Sequence, residues 1–221
     1  VGYDDGNVSF QELRILQLSS GRILGTMRTP DRNFYQCYSD DEGNTWCTPE
    51  ETPIWCAGSS PLDIYELEDG RVLASYGRRK PPFGIRVCLS EDEGKTWSPP
   101  VVMNQCLLRA HALQDTMIRT ESGRIILPVY CGLGQGIFHQ EGAPFVGGYL
   151  NGNFISTDAH FYDPHFSVSY VLYSDDEGET WQRNANDEMM ITLDYSAGGH
   201  WSCTEPTVVE YSPKHLLMLY R

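Results

Sequence analysis

Short apolar runs separated by polar turns recur along the chain, and this pattern is typical of paired β-strands. In each case an apolar run leads into a turn built on Gly-Arg or an equivalent pair, and a second apolar run follows. Four segments have this form: Leu13–Arg28, Leu62–Arg79, Asp115–Tyr130 and Pro206–Arg221. The chain has no long 3.6-residue periodicity, so few helices are expected. The pattern therefore predicts an all-β protein.

A second repeat follows the first three of these hairpins. SDDEGNTW, SEDEGKTW and SDDEGETW begin at Ser39, Ser90 and Ser174, and all three fit S-x-D-x-G-x-T-W. The Asp can accept hydrogen bonds from turn amides, the Gly can adopt a positive φ, and the Trp can cover the turn with apolar surface. These octapeptides are predicted to be structural turns, and none of their residues is assigned to catalysis.

Together the two repeats define units of roughly 50 residues with four short strands each, which is the spacing of β-propeller blades. About three and a half such blades are predicted, in one partial propeller domain that covers residues 1–221. The step from the hairpin Gly to the octapeptide Asp is 20 positions in the first unit and 53 in the third. The excess predicts a long loop insertion over residues 132–166, within the third blade.

Charge and composition narrow the range of partners. The formal net charge of −14 disfavours nucleic acid, and no apolar stretch reaches the roughly 20 residues of a membrane span. The seven Cys include no CxxC pair, so we expect scattered and mostly buried thiols, no metal site and no cofactor. An anionic ligand would need a local cluster of Arg. Neither the compartment, secreted, periplasmic or cytoplasmic, nor the oligomeric state can be assigned from the sequence.

The octapeptides resemble the Asp-boxes of sialidases, and a longer spacing strengthens this resemblance. Sialidases carry a catalytic Glu at the start of one inner strand and an Arg at the end of the next, as in E-x-x-V-V-E-L-x-D-G-x-L-L-x-x-x-R. The segment TEPTVVEYSPKHLLMLYR places Glu205 and Arg221 in those positions, and QELRILQLSSGRILGTMR places Glu12 and Arg28 there. The resemblance implies six blades in the whole protein, of which this chain is a fragment, and removal of terminal sialic acid from glycans.

The family's chemistry implies roles for these residues. Sialidases are retaining glycosidases with a Tyr nucleophile, which a neighbouring Glu deprotonates, and a cluster of Arg binds the substrate carboxylate. Glu205 or Glu12 would be that Glu, with Arg221 or Arg28 as one arm of the cluster. We favour Glu205 with Arg221, because VVE follows this Glu as in the family pattern. The alternative is that each pair is only an ion pair in the propeller channel.

Two further residues are candidates for binding the substrate. Arg79 leaves the second hairpin at the corresponding end, whereas its neighbours Arg78 and Lys80 are expected to be solvated. Asp115 starts the third hairpin and could bind sugar hydroxyls or could make a local cap.

Three features of the family pattern are missing from this sequence. The R-I-P motif of the first Arg is absent, and neither a nucleophilic Tyr nor an acid/base Asp can be placed by motif. Two functional hypotheses therefore stand: a sialidase-like glycosidase, including a relative that cleaves another sugar, and a non-catalytic propeller that binds glycan or protein.

Overall fold

The strands of the chain form successive antiparallel sheets. The computed structural model describes residues 8–30, 32–56, 61–78, 82, 84–104, 110–112, 116–132, 147–150, 153–156, 167–184 and 205–219. Within these ranges the regular elements are all β-strands. The predicted all-β class is confirmed.

The first two units are four-stranded sheets, which we call blades 1 and 2. Blade 1 contains β1 (Gln11–Gln17), β2 (Ile23–Arg28), β3 (Asn33–Ser39) and β4 (Glu50–Trp55) in that order. Blade 2 repeats the arrangement with β5 (Asp63–Glu66), β6 (Val72–Arg78), β7 (Gly84–Ser90) and β8 (Val101–Asn104). Neighbouring strands are antiparallel throughout. This is the strand order of the predicted blades.

The third and fourth units depart from this simple form. Blade 3 contains β9 (Ala110–Ala112), β10 (Ile118–Arg119), β11 (Ile125–Gly132), β14 (Ser167–Ser174) and β15 (Gln182–Arg183), with β9 and β10 both paired to β11. Between β11 and β14 in the chain lies a separate hairpin of β12 (Gly147–Leu150) and β13 (Asn153–Ser156). Blade 4 consists of β16 (Thr207–Ser212) and β17 (His215–Leu219) among the described residues.

The octapeptide turns are tight type I′ turns that their Asp side chains hold closed. Glu42 and Gly43 both have positive φ, 59° and 85°, and the amide of Asn44 donates to the carbonyl of Asp41 at 3.2 Å. The Asp41 carboxylate accepts hydrogen bonds from the Thr45 hydroxyl, the Thr45 amide and the Ser39 hydroxyl. These bonds stabilise the ionised form and lower the pKa of Asp41. The turns at Asp92 and Asp176 repeat the same bonds.

Each octapeptide turn in blades 2 and 3 packs against the preceding blade. A Cβ added at Gly94 would lie 2.7 Å from Cδ2 of Leu24 in blade 1, and one at Gly178 would lie 3.6 Å from Leu73 in blade 2. Leu24 and Leu73 occupy the same position in the hairpin repeat, so the contact recurs from blade to blade. At Gly94 glycine is needed both for its positive φ and for its lack of a side chain, whereas at Gly178 the contact with Leu73 is an ordinary van der Waals distance.

Two apolar clusters fill the spaces between blades. Leu24, Phe34, Ile64, Tyr76 and Trp97 belong to the cluster between blades 1 and 2, and Phe34 meets Tyr76 edge-on at 5.7 Å between ring centroids. A second cluster, between blades 2 and 3, includes Leu73, Ile85, Leu127 and Leu172. Most of the described core therefore lies between the sheets, and a smaller cluster of Met27, Tyr35 and Cys37 lies on blade 1 against Phe10 and Trp46.

A polar contact at the hairpin turns also repeats between blades. The amide of Ser19 donates to Glu66 in the next blade at 2.8 Å, and the amide of Glu121 donates to Glu210 at 2.6 Å. Between blades 2 and 3 the acceptor is Glu177, because Arg119 stands at the repeat position that Glu66 and Glu210 occupy. Both Nη atoms of Arg119 donate to Glu177, so Arg119 holds the Glu177 carboxylate at the place where Glu66 and Glu210 supply their own.

Replacement of Gly94 tests the packing of the turn on the preceding blade. Gly94→Ala introduces both a positive-φ alanine and the contact with Leu24, whereas Gly21→Ala introduces only the first, since nothing lies within 4 Å of its added Cβ. We expect Gly21→Ala to cost about 1 kcal/mol of the free energy of unfolding. Gly94→Ala should cost at least about 1 kcal/mol more, because overpacking adds to it. Urea unfolding measures both, and equal losses would contradict the packing.

Replacement of Trp97 tests whether its side chain stabilises the blade by covering the octapeptide turn with apolar surface. Its side chain is 9% exposed, and Nε1 donates to Oε1 of Gln36 in blade 1 at 2.9 Å. We expect Trp97→Ala to cost about 3 to 5 kcal/mol, as other large-to-small core changes do. Trp97→Phe loses the hydrogen bond but keeps most of the volume, so its cost should be clearly smaller. Thermal unfolding of both variants measures these costs. An unchanged Tm for Trp97→Ala would show that Trp97 does not stabilise the turn.

Candidate functional site

Glu12 and Arg28 meet where the first hairpin begins and ends. Gln11 pairs with Arg28 across the β1–β2 ladder, and Nη1 of Arg28 lies 2.6 Å from Oε2 of Glu12. Arg28 is half-buried and Glu12 is exposed. Nε of Arg28 is buried and has no hydrogen-bond partner among the described residues. The guanidinium thus keeps donor capacity beyond its carboxylate partner.

The backbone at Glu12 adopts an unusual conformation that recurs at Glu205. The φ angle is 50° at both residues, in the left-handed region that residues other than Gly rarely occupy. At Glu12 the β1–β2 register shifts between Gln11 and Arg14, so the Glu lies in a bulge. Bulges re-aim side chains at the rims of sheets and next to active sites. The sequence predicted equivalent positions for the two Glu residues but gave no sign of the positive φ.

The other predicted site residues are only partly described. Glu205 lies just before β16, as Glu12 lies near the start of β1. Arg79, Asp115 and Arg221 lie outside the described residues. The structure therefore brings Glu12 and Arg28 together and leaves the convergence of the full set as a prediction.

The octapeptide turns lie at the opposite end of the sheets from Glu12 and Arg28. In blade 1 the hairpin turn and the octapeptide turn are joined by Arg22, whose Nε lies 2.7 Å from Oδ1 of Asp40. Arg28 is at the other end of the same strand, β2. This position fits a structural role for the octapeptides.

Asp63 is a buried carboxylate that joins three blades, and the sequence analysis missed it. It is 1% exposed, and its Oδ1 accepts from Nε of Arg14 in blade 1 at 2.9 Å. Its Oδ2 accepts from the amides of Thr116 and Met117 in blade 3, at 3.2 and 3.0 Å. Arg14, Asp63 and Thr116 occupy the same position in the three hairpin repeats. Alignment of the hairpin repeats could have indicated this contact, because it places an Arg, an Asp and a Thr at one equivalent position.

Blade 2 carries two Arg residues that are at least partly buried. Arg78 was expected to be solvated, but it is half-buried and stacks on the Trp55 ring of blade 1, with Cζ 4.4 Å from the ring centroid. Arg86 on β7 is buried, and its Nη2 donates to the carbonyl of Pro82 at 2.9 Å. The expectation for Arg78 was wrong because the face of β6 that carries it is covered by blade 1.

The described residues show neither a metal-binding cluster nor a membrane-spanning helix. No group of three or more His, Cys, Asp or Glu in this part of the chain is placed to hold a metal ion. No helix of the described residues is long and apolar enough to cross a membrane. Cys37, Cys56 and Cys88 are buried free thiols, and Cys47 is a half-buried one.

Comparisons with known proteins support the fold. Residues 10–107 match the model of the BNR repeat-like domain. No curated protein matches the sequence at a significant level. Among solved structures, a protein of unknown function from Dyadobacter fermentans is similar over 100% of this chain and 64% of its own, with 20% identity and a TM-score of 0.66.

Two glycosidases have the same fold at lower identity. The Hadza microbial sialidase Hz136 is similar over 95% of this chain, with 15% identity and a TM-score of 0.60. The α-L-arabinofuranosidase Arb93A from Fusarium graminearum is similar over 94%, with 18% identity and a TM-score of 0.54. This chain spans 41% and 54% of the lengths of these two proteins. It thus has the sialidase-like Asp-box β-propeller fold, over part of the length of such proteins.

Replacement of Asp63 tests its bridging role. Asp63→Asn keeps the size of the side chain but leaves Arg14 without its counter-charge, so we expect a loss of about 3 kcal/mol in the free energy of unfolding. The matched control is Asp40→Asn, which removes an exposed carboxylate from Arg22 and should cost clearly less, because solvent screens exposed ion pairs. Urea unfolding of both variants measures the difference. Similar small losses would show that Asp63 is not a bridge between blades.

Proposed function

We propose that this chain is part of a sialidase-like glycoside hydrolase that removes a terminal acidic sugar from glycans with retention of configuration. The carrying observation is the repeated Glu-Arg arrangement at the ends of equivalent hairpins. Glu12 and Glu205 share a φ of 50°, and Glu12 contacts Arg28 at 2.6 Å. Strained backbone of this kind costs about 1 to 3 kcal/mol per residue and clusters at active sites. The positive φ occurs at the same repeat position in two hairpins, and this supports a functional role for these Glu residues.

The proposed roles follow from the chemistry of the substrate. An acidic sugar presents a planar carboxylate, which the guanidinium of Arg221, and of Arg28 or Arg79, would bind with paired hydrogen bonds. A Tyr would attack the anomeric carbon while Glu205 takes its phenolic proton, and an acid would protonate the departing glycosidic oxygen. Water would then give a proton to the conjugate base of that acid and attack the anomeric carbon. The Tyr would leave and regain its proton from Glu205, and the two inversions would give net retention. Asp115 would bind sugar hydroxyls.

We place this site in a larger ring of six blades. Leu13 and Ile15 in blade 1 are 53% and 44% exposed, whereas their repeat equivalents Leu62 and Ile64 in blade 2 are 1% and 0% exposed. Blade 4 likewise exposes Val209, Tyr211, Leu217 and Leu219 on its hairpin. Further blades would bury both apolar faces, as the faces between blades 1 and 2 and between blades 2 and 3 are buried. The long insertion over residues 132–166 would belong to blade 3 of that ring.

A binding propeller without catalysis is the second candidate. The contact between Glu12 and Arg28 favours it, because a carboxylate already occupies part of the Arg28 fork. Such a pair would be a fixed element of the channel wall, and glycan or protein would bind at the surface around it.

Hydrolysis of a fluorogenic sialoside by the intact protein tests the proposal. We expect turnover by the wild type and a loss of about 10² to 10⁴ in kcat for Glu205→Gln, since a positioned base contributes that much. Arg221→Lys keeps the charge but loses the planar fork, so it should raise KM for the sialoside. Glu179→Gln changes an exposed Glu on an octapeptide turn and should leave both constants unchanged.

The same assay separates the alternatives. A larger loss for Glu12→Gln than for Glu205→Gln would move the site to the first hairpin. Turnover of a fluorogenic arabinofuranoside in place of the sialoside would assign a different sugar. No turnover of either, with glycan binding that survives both Glu substitutions, would contradict catalysis and favour the binding propeller.

A further inference from the structure

Arg86 is a buried cation between blades 1 and 2 that has no counter-ion in the described part of the chain. It is 6% exposed, and among the described residues its one hydrogen bond runs from Nη2 to the Pro82 carbonyl. Nη1 is buried without a hydrogen-bond partner, and no described Asp or Glu forms an ion pair with it. An uncompensated buried ion is costly, and an Arg cannot escape the cost by losing its proton.

The repeat shows that the fold does not need a cation at this position. Arg86 pairs with Tyr76 across the β6–β7 ladder. The equivalent ladder positions pair Tyr35 with Met27 in blade 1 and Tyr170 with Val129 in blade 3. Tyr35 and Tyr170 are both buried. A buried Tyr therefore satisfies this position in two blades, and the Arg of blade 2 calls for another explanation.

A second Arg lies on the same face of blade 2. Arg78 is two residues beyond Tyr76 on β6, so both side chains point toward blade 1. Its Nε is buried without a hydrogen-bond partner among the described residues, and its guanidinium stacks on Trp55. Burial lowers the pKa of Arg86, and repulsion from Arg78 lowers it further. Arg14 and Arg28, in contrast, have Asp63 and Glu12 beside them.

We propose that Arg78 and Arg86 bind an oxyanion, a carboxylate or sulfate group, between blades 1 and 2. A guanidinium offers five N–H donors in a planar fork that matches two oxygens of such a group, and Pro82 uses only one donor of Arg86. Pro82 is exposed and accepts a hydrogen bond from Arg86, so the guanidinium lies within one hydrogen bond of a surface residue. The site goes beyond the proposed glycosidase chemistry, because it needs no turnover. The group belongs either to a free anion or to an acidic sugar.

Thermal unfolding of the intact protein in different salts tests the site. At equal ionic strength, sulfate or acetate should raise the Tm above its value in chloride by about 2 to 4 °C, since a ligand that binds only the folded state stabilises it. Arg86→Tyr introduces the residue of the other blades, so it should keep or raise the Tm in chloride and lose the oxyanion shift. Arg183→Gln removes an exposed cation that stacks on Tyr170 and should keep the full shift.

A second pair of probes identifies the source of the oxyanion. One result is that N-acetylneuraminic acid raises the Tm at concentrations where acetate does not, while its methyl ester gives no rise. That result would show that the bound carboxylate belongs to an acidic sugar. Equal potency of acetate and the sugar acid would indicate a free anion. These shifts do not depend on sialoside hydrolysis, so they can succeed or fail independently of the proposed function.

Three outcomes would overturn the proposal. The first is an equal Tm shift by oxyanions in the wild type and in Arg86→Tyr, and the second is no Tm shift in the wild type. The third is a lower Tm of Arg86→Tyr in chloride while oxyanions change the Tm of neither protein. If Arg86→Tyr does not fold, the variant Arg78→Gln is used in its place. Sulfate binding to the wild type is then also measured by calorimetry. Absence of saturable sulfate binding would then refute the site.

Discussion

The packing of each Asp-box turn against the preceding blade is the constraint on which the rest of this structure depends. A single antiparallel sheet has two faces to cover, and in a propeller the neighbouring blades cover them. The close approach of Gly94 to Leu24, and the van der Waals contact of the equivalent Gly178 with Leu73, limit how near two blades can come. Because packed interiors tolerate little change in volume, this distance also determines where the hairpin ends of adjacent blades lie.

Much of the fold could be predicted because its signals are local and repeated. Asp, Gly, Thr and Trp at fixed offsets specify a turn by their own hydrogen bonds and backbone freedom, and the bonds of Asp41 recur at Asp92 and Asp176. The strand order follows from consecutive short connections. Lys214 shows where such reasoning ends, since it has a φ of 66° at a turn position that Gly occupies in the other hairpins. No local signal marks that exception.

The candidate site could be predicted only as far as it lies within one hairpin. Glu12 and Arg28 are neighbours because a tight turn brings the two ends of the hairpin together, so their spacing in sequence carries the contact. Asp63 and Arg86 were missed because their surroundings come from other blades. An exposed and a buried Arg look alike in sequence, and Arg78 was placed in solvent for that reason. Comparison of equivalent repeat positions is the signal that could have identified both Asp63 and Arg86.

The charges between blades link binding to the integrity of the ring. Asp63 offsets Arg14 and also holds two amides of blade 3, so the energy of that ion pair is shared by three blades. Arg78 and Arg86 lie at the same kind of boundary with no carboxylate from the described residues, and their repulsion acts on the contact between blades 1 and 2. A ligand that neutralises them would stabilise this contact as it binds, since binding energy adds to the stability of the folded state. Buried charge in this propeller therefore connects recognition of an anion with the spacing of blades.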